Sequence, residues 1–136
     1  MDQFLGKNYV LIDSENFEDY LAFVGVSFIA RKIALALKQT VRLTRNEDGG
    51  YKFHFISPLA SSDFVFTPGE EFLESRPDGV TMKSFITIQD NVMTHTHTDN
   101  TGKTSKHVLV FYTDKMITTT TGEGLDKIVK RYYEAR

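Results

Sequence analysis

The sequence predicts an all-β fold, a ten-stranded antiparallel up-and-down β-barrel, on two observations. From residue 40 to the C-terminus, short segments rich in apolar and β-branched residues are separated by turn residues about every eight to twelve positions, which is typical of an antiparallel meander. Only two short helical patterns, within residues 16–38, are available to cover so many strands. Closing the sheet into a barrel removes its free edges, and ten strands leave room inside for a small ligand.

The first elements are a strand and a short helix. Alternation predicts a strand over residues 7–14, with both faces partly apolar. Asn16 stands where an N-cap is expected, so its side chain is predicted to accept from the first free N–H groups of the helix. Phe17 and Leu21 recur at helical spacing, and Gly25 follows where a left-handed C-terminal residue is needed.

A second helix is predicted over residues 27–38, and its apolar residues should face the mouth of the barrel. Together with the first helix it forms a helix-turn-helix in shape, but it offers no basic recognition face, so DNA binding is not expected. The apolar stripe consists of Ile29, Ile33, Ala36 and Leu37.

The remaining nine strands follow one another with turns rich in Gly, Asn, Asp and Pro between them. They are predicted over residues 40–45, 51–56, 63–67, 71–75, 80–88, 92–98, 105–112, 116–121 and 127–133.

Composition is that of one domain covering residues 1–136. Sixteen basic and eighteen acidic residues give a net charge of −2, so the overall field indicates neither nucleic acid nor an anionic membrane as a partner. The absence of cysteine fits a reducing compartment. The first residues carry no basic stretch and no long apolar run, so no signal peptide is expected, and no segment approaches the ~20 apolar residues of a membrane span. A cytoplasmic location is therefore expected.

Three histidines are predicted to point into the barrel from one hairpin. A three-residue loop over residues 100–102, with Gly102 in the left-handed position, sets the register of the two strands. Threonines 94, 96 and 98 then fall on the outer face. The expected pairs are Asp99 with Lys103, His97 with His107, and His95 with Leu109.

The histidine cluster leaves three interpretations open. His97 and His107 could donate to a ligand or to ordered cavity waters. Three inward histidines also resemble some zinc arrangements, although no carboxylate that would orient them is evident nearby in the sequence. A register slip of one residue would instead turn all three outward.

The last strand carries a candidate anion site. Arg131 and Tyr133 are two residues apart, so their side chains share one face. If that face lines a closed cavity, a guanidinium and a phenol converge on one buried point and suit a carboxylate. The alternative is an edge strand with a solvated arginine.

These residues resemble the intracellular lipid-binding proteins, which include the fatty-acid-binding and cellular retinoid-binding proteins. The most specific similarity is residues 6–21, GKNYVLIDSENFEDYL, and the resemblance covers the whole chain. It implies a flattened ten-stranded barrel (a β-clam), a helix-turn-helix lid over a portal, one apolar ligand inside, and neither metal nor cofactor. Further similar positions are Gly25-Val26, Arg31, Thr40-Val41, Pro68-Gly-Glu-Glu-Phe72, Asp78-Gly79, Lys83-Ser84 and Arg131-Tyr132-Tyr133-Glu134.

The resemblance also implies site residues. The family often holds a carboxylate with two arginines and a tyrosine; Arg131 and Tyr133 match two of these, and Leu109 stands at the position of the other arginine. Gln39 replaces the proline of a Lys-Pro pair, which we interpret as drift in a loop. The predicted ligand-binding residues are Arg131, Tyr133, His95, His97, His107, Leu109, Thr118 and Phe72, with Phe17, Leu21, Phe28, Leu59 and Pro77-Asp78 around the portal.

The function that the resemblance implies is an intracellular carrier of a long-chain fatty acid. Because one arginine is replaced, a retinoid or another neutral or bulky apolar ligand is the alternative. An enzyme is not expected, since no Gly-rich phosphate loop, Gly-x-Ser-x-Gly elbow or His-Glu-x-x-His stretch is present. A monomer is expected, and Arg31 and Lys32 on the lid could orient it on acidic membranes during ligand transfer.

Overall fold

A computed structural model describes residues 1–76 and 78–136, and ten β-strands account for most of this part of the chain. Each predicted strand is confirmed, with bounds that differ by at most a few residues. The helices and strands are a 3₁₀ helix Asp2–Phe4, β1 Tyr9–Glu15, α1 Phe17–Phe23, α2 Phe28–Ala36, β2 Thr40–Arg45, β3 Tyr51–Ile56, β4 Ser62–Phe66, β5 Phe72–Ser75, β6 Thr81–Gln89, β7 Val92–Asp99, β8 Thr104–Phe111, β9 Lys115–Gly122 and β10 Val129–Ala135.

The strands form one antiparallel sheet in the order β4-β3-β2-β1-β10-β9-β8-β7-β6-β5. The predicted ten-stranded barrel is confirmed, with one seam that has no backbone ladder, because β4 and β5 are the two ends of this order. Aromatic side chains span the gap instead. The Phe72 ring stacks on Phe64 at 5.6 Å between centroids and lies 6.2 Å from Phe66. The barrel is therefore nearly closed, with its last seam made by side chains.

Strand β1 joins the two halves of the sheet unevenly. It pairs with β2 only through Tyr9 with Val41 and Val10 with Thr40, but it pairs with β10 along most of its length. A bulge shifts the β1–β10 register between Leu11 and Asp13. An extra residue in one strand bends it, and the second half of β1 consequently leaves β2 and follows β10 toward the helices.

The core fills the barrel end opposite the helices. Tyr9 is fully buried, its ring packs edge-on against Phe111 at 5.5 Å, and its hydroxyl donates to the carbonyl of Tyr112 at 3.0 Å. Burial raises the pKa of Tyr9 to about 12. Burying an aromatic side chain of this size contributes about 2 to 3 kcal/mol, so the inward aromatic residues anchor this end. Other members of the cluster are Phe4, Val41, Leu43, Tyr51, Phe53, Phe66, Ile86, Met93, Met116 and Tyr133.

Helix α1 begins and ends where the sequence predicts, but its first turn is not capped as expected. Asn16 lies in the left-handed region, with φ of 61°, and its amide donates to the carbonyl of Ile128 at 3.0 Å. Its side chain makes no capping hydrogen bond. At the other end Gly25 adopts a φ of 88°, as predicted, which lets the N–H of Val26 reach back to the carbonyl of Leu21 at 2.9 Å.

Helix α2 is rotated relative to the prediction. Its apolar stripe faces outward, with Ile29 73 % and Ile33 51 % exposed. Ala34 packs against the cluster formed by α1 and Val129, and Arg31 is drawn inward by a 2.7 Å hydrogen bond to the carbonyl of Val26. That bond holds the Arg31 side chain against the turn before α2, and the apolar stripe on the other side is left exposed. In the described part of the chain no helix has the length and apolar content to cross a membrane.

The hairpin between β7 and β8 has the predicted loop but a different register. Gly102 has a φ of 88°, and the N–H of Asp99 donates to Lys103 at 3.0 Å, as expected. Residues of the two strands pair in step from the loop, so a pair between Asp99 and Lys103 requires His97 to pair with Ser105. The partner of His97 is therefore two residues nearer the loop than the predicted His107. A register shift of two residues leaves each side chain on the same face of its strand, and the inward direction of the histidines is therefore confirmed. The actual pairs are His97 with Ser105, His95 with His107, and Met93 with Leu109.

Candidate ligand-binding site

Arg131 lies on the inner face of β10, beside the start of the lid. Its Nε donates to Ser14 Oγ at 3.2 Å, and its guanidinium carbon is 3.7 Å from the centre of the Phe17 ring. Burial lowers the pKa of Arg131, yet an arginine remains cationic in a protein. Among the described residues, no carboxylate lies within 4.0 Å of its nitrogens. The cation is thus held by a hydroxyl and an aromatic face, without a counter-charge.

Tyr133 shares this face, as predicted. Its ring centre is 6.0 Å from the Arg131 guanidinium carbon, and its hydroxyl donates to Gln39 Oε1 at 3.3 Å. Burial raises the pKa of the Tyr133 phenol, so it is a hydrogen-bond donor at neutral pH. Gln39, which the sequence did not place at the site, therefore contacts it through its side chain.

Leu109 and Thr118 continue the row of Arg131 across the sheet. Thr118 is the β9 partner of Arg131, and Leu109 is the β8 partner of Thr118. Leu109 packs in the apolar core and pairs with Met93, which corrects its expected pairing with His95. The Thr118 hydroxyl is buried without a hydrogen-bond partner among the described residues. The row that crosses the sheet from Arg131 consequently contains one hydroxyl without a partner among the described residues, that of Thr118, and one apolar side chain, that of Leu109.

The three histidines do converge inside the barrel. His97 Nε2 and His107 Nε2 lie 2.8 Å apart, and His107 Nδ1 lies 2.6 Å from Thr120 Oγ1. The Tyr20 hydroxyl of α1 is 3.4 Å from His107 Nε2. One Nε2 must donate and the other accept in such a contact, so the accepting imidazole must be neutral.

The histidine pKa values agree with that geometry. Burial, reinforced by the charge of His95, lowers the pKa of His97 to about 4. Burial, followed by the charges of His97 and His95, lowers the pKa of His107 well below its ordinary value. Both imidazoles are therefore neutral at pH 7.

Sequence reasoning missed Glu74, which completes this cluster. Its Oε1 lies 3.0 Å from His95 Nε2 and accepts from Ser84 Oγ at 2.8 Å. Burial alone would raise the pKa of Glu74. The hydrogen bond and charge of His95, together with the hydrogen bond from Ser84, outweigh burial and lower the pKa of Glu74. The signal was available, because alternation on β5 puts Glu74 on the same face as Phe72, while Leu73 and Ser75 face out.

The cluster is arranged for hydrogen bonding. In the described residues, no group of three or more His, Cys, Asp or Glu side chains is placed to hold a metal ion. His97 and His107 direct their Nε2 atoms at each other, and His95 directs its Nε2 at Glu74. These nitrogens serve one another as partners, which is a different arrangement from ligands converging on one point.

The predicted portal residues separate into two groups. Leu21 is buried against Val129, and the ring of Phe17, the first residue of α1, packs on the guanidinium of Arg131. Phe28 and Leu59 are exposed, by 61 % and 75 %. Of these four residues, Phe28 and Leu59 therefore have the exposure expected at the rim of an opening, and Asp78 is exposed as well.

Asp78 lies in the turn before β6, while Pro77 is outside the described residues. The Asp78 carboxylate accepts two hydrogen bonds from Arg76, at 2.9 Å from Nε and 2.6 Å from Nη2. Arg76 in turn donates to the carbonyl of Val24 at 3.0 Å. Asp78 is thus joined to the end of α1 through one arginine.

A pocket of about 350 Å³ reaches Arg131 from outside, between the second half of β1 and the end of α2. It exists because β1 leaves β2 after Val10. Leu11, Ser14, Phe17, Leu37 and Lys38 are among its walls.

Known proteins support a single assignment. The chain is 44% identical to fatty acid-binding protein homolog 5 of Caenorhabditis elegans over 96 residues, which are 69% of this chain and 68% of that protein. It is 33% identical to a fatty acid-binding protein of Clonorchis sinensis over 133 residues, 96% of this chain and 97% of that one. No protein-family model matches.

Solved structures agree. The Schistosoma mansoni fatty acid binding protein in complex with arachidonic acid superimposes with a TM-score of 0.89 at 30% identity, over 100% of this chain and 98% of that one. The crystal structure of fatty-acid-binding protein 1 of Echinococcus granulosus superimposes with a TM-score of 0.89 at 28% identity, over 99% of this chain and 98% of that one. With the ten-stranded sheet and two-helix lid, these similarities show that the chain belongs to the fatty-acid-binding protein family, whose members are lipid carriers and not enzymes.

Proposed function

We propose that this protein is a cytoplasmic carrier that binds a long-chain fatty acid with the carboxylate at Arg131 and Tyr133. The observation that carries the proposal is a half-buried guanidinium with no carboxylate partner among the described residues. An uncompensated buried charge is costly, and an anionic ligand removes that cost.

The contacts of Arg131 leave room for a carboxylate. Ser14 occupies Nε, and none of the described residues accepts a hydrogen bond from the two terminal nitrogens. Tyr133 can turn its hydroxyl from Gln39 to a ligand oxygen, because a charged acceptor makes a stronger hydrogen bond than an amide. One carboxylate can thus accept from the guanidinium and the phenol together.

The chain length of the ligand is inferred from relatives. The named relatives are fatty-acid-binding proteins, and one of the similar structures holds arachidonic acid. The apolar residues between the site and the closed end of the barrel suit an alkyl chain. We therefore assign the long-chain class.

A neutral ligand such as a retinoid is a second candidate, and Leu109 favours it. An apolar side chain two strands from Arg131 leaves one cation where the resemblance implies two. With fewer charge-assisted hydrogen bonds, a carboxylate gains less over an alcohol or an ester.

Delivery through contact with membranes follows from the lid. Phe28, Ile29 and Ile33 present an exposed apolar surface, and Lys32 lies over the Phe28 ring at 5.2 Å. Such a surface suits transient contact with an anionic bilayer. We propose that the carrier acts as a monomer, since one chain supplies both the sheet and the lid.

Displacement of a fluorescent fatty acid by oleate, retinoic acid and retinol tests the proposal. We expect oleate and retinoic acid to compete more strongly than retinol, because both carry the carboxylate. Stronger competition by retinol than by either acid would replace the proposal with the neutral-ligand candidate.

A further inference from the structure

We propose that the histidine cluster, defined as Glu74, His95, His97, Ser105 and His107, is a second polar subsite that binds a hydroxyl group on the alkyl chain of the ligand. The preferred ligands are then hydroxy fatty acids rather than unmodified ones. This inference rests on the proposed function, since it assumes a carboxylate held at Arg131.

Two buried atoms in the cluster make no hydrogen bond of normal geometry among the described residues, His97 Nδ1 and Ser105 Oγ, and both are inaccessible to solvent. Ser105 is near the Tyr20 hydroxyl, since a hydrogen bond with it lowers the pKa of Tyr20 against the larger, opposite effect of burial. His97 and Ser105 pair directly across β7 and β8, and both face the interior. Side chains at such positions have Cβ atoms about 4.5 to 5.5 Å apart, so an oxygen atom placed between the two side chains would contact both. Leaving two buried polar atoms unsatisfied is unfavourable, which favours a ligand that satisfies them.

The chemistry of the free atoms selects a hydroxyl. In neutral His97 one ring nitrogen donates and the other accepts, and Nε2 is already paired with His107. If His97 Nε2 donates to His107, then Nδ1 needs a donor; if Nε2 accepts, then Nδ1 carries the proton and needs an acceptor. A hydroxyl satisfies either tautomer, while a carbonyl satisfies only one.

The surroundings disfavour a second carboxylate at this point. Glu74 already supplies a negative charge, held by His95 and Ser84. The neutral state of His97 and His107 offers no cation to compensate another anion. A neutral oxygen therefore fits where a carboxylate does not.

The subsite lies along the path of a chain that starts at Arg131. From Arg131 the row crosses Thr118 to Leu109, two strands away, and Ser105 lies four residues from Leu109 on β8. With strands about 4.8 Å apart and about 3.4 Å per residue, the backbone positions of Arg131 and Ser105 are about 17 Å apart along the sheet. A hydroxyl that reaches Ser105 must therefore stand well along the chain, away from the carboxylate.

The test is competition of a fluorescent fatty acid by stearate and by a series of monohydroxystearates whose hydroxyl moves along the chain. We expect one narrow range of positions to bind about three to tenfold more tightly than stearate, the value of one satisfied neutral hydrogen bond. Ser105→Ala should abolish that advantage while stearate binding persists. Thr96→Val, on the outer face of the neighbouring strand β7, is the matched control and should retain it.

Each other outcome decides against the inference. Equal binding of stearate and all hydroxystearates overturns it and leaves the proposed function intact. An advantage that is independent of hydroxyl position, or that survives Ser105→Ala, overturns it and indicates an ordered water at these atoms. If neither acid is bound, the inference and the proposed function fail together. Nitrogen chemical shifts of the His97 ring give a second readout, because they should change with the preferred hydroxystearate and not with stearate.

Discussion

The Phe17 ring covers the guanidinium of Arg131 at 3.7 Å, so the first residue of the lid contacts the proposed anion site directly. A cation over an aromatic face contributes about 0.5 to 2 kcal/mol, and more when water is excluded. This contact therefore couples the stability of the lid to that of the proposed head-group site.

A double-mutant cycle should measure this coupling. Phe17→Leu and Arg131→Leu, singly and together, are expected to show a coupling free energy of about 1 kcal/mol in the unfolding free energy from urea titration. Phe17→Leu keeps an apolar side chain and removes only the aromatic face. Additive effects of the two substitutions would mean that the contact contributes nothing to stability.

Stability should fall between pH 6.5 and pH 5 because of the neutral histidine pair. The pKa of His97 is about 4 in the folded state against 6.5 ordinarily, so the unfolded chain binds the proton first. Stabilisation is then complete above pH 6.5 and is lost as the pH falls toward 4. The slope should be about 1.4 kcal/mol per pH unit for each such histidine.

Chemical denaturation at several pH values checks this slope, with His97→Gln as the variant. His97→Gln should flatten the dependence, while Thr96→Val should keep it. A wild-type stability that does not change over this window would contradict the neutral pair.

Glu74→Gln should destabilise the fold although it nearly preserves the shape of the side chain. The carboxylate accepts from both His95 and Ser84 inside the barrel, and hydrogen bonds to a buried charge contribute about 1.5 to 3 kcal/mol. Glu71→Gln, at an exposed position before β5, should change the unfolding free energy by less than about 0.5 kcal/mol. Similar small effects from both substitutions would show that Glu74 is not part of a stabilising network.

Ile33→Ser should slow ligand transfer to anionic vesicles without loss of stability. Ile33 is 51 % exposed on α2, so its removal costs little in folding but reduces the apolar surface offered to a bilayer. Leu73→Ser, at a 72 % exposed position on β5, is the matched control. The transfer rate of a fluorescent fatty acid distinguishes the two, and equal rates would argue against contact through the lid.

Much of the fold could be predicted because strand alternation is a local property. The inward direction of His95, His97 and His107 depends only on parity, so a register error of two residues left it unchanged. The pairing itself depends on the count from the loop. The rotation of α2 could not be predicted from its stripe, because the α2 residue that packs against the cluster of α1 and Val129 is Ala34, which is not part of the stripe.

The polar contacts of the site were harder to predict than its location. Arg131 and Tyr133 follow from two residues of one strand, but Glu74 and Gln39 come from β5 and from the loop before β2. Neither is near its partner in sequence. Glu74 reaches the histidines because β5 pairs with β6 and β6 pairs with β7. Gln39 reaches Tyr133 because Leu11 of β1 pairs with Tyr133 and donates its N–H to the carbonyl of Gln39 at 2.9 Å.

The affinity of Arg131→Leu for oleate, compared with methyl oleate, tests the central claim most directly. We expect the affinity for oleate to fall by about ten to a hundredfold, corresponding to about 1.5 to 3 kcal/mol, while methyl oleate and retinol change little. Lys130→Leu, which removes a neighbouring outward-facing cation, should leave all three unchanged. Equal weakening of oleate and its ester would make Arg131 structural, and an unchanged affinity for oleate would place the carboxylate elsewhere.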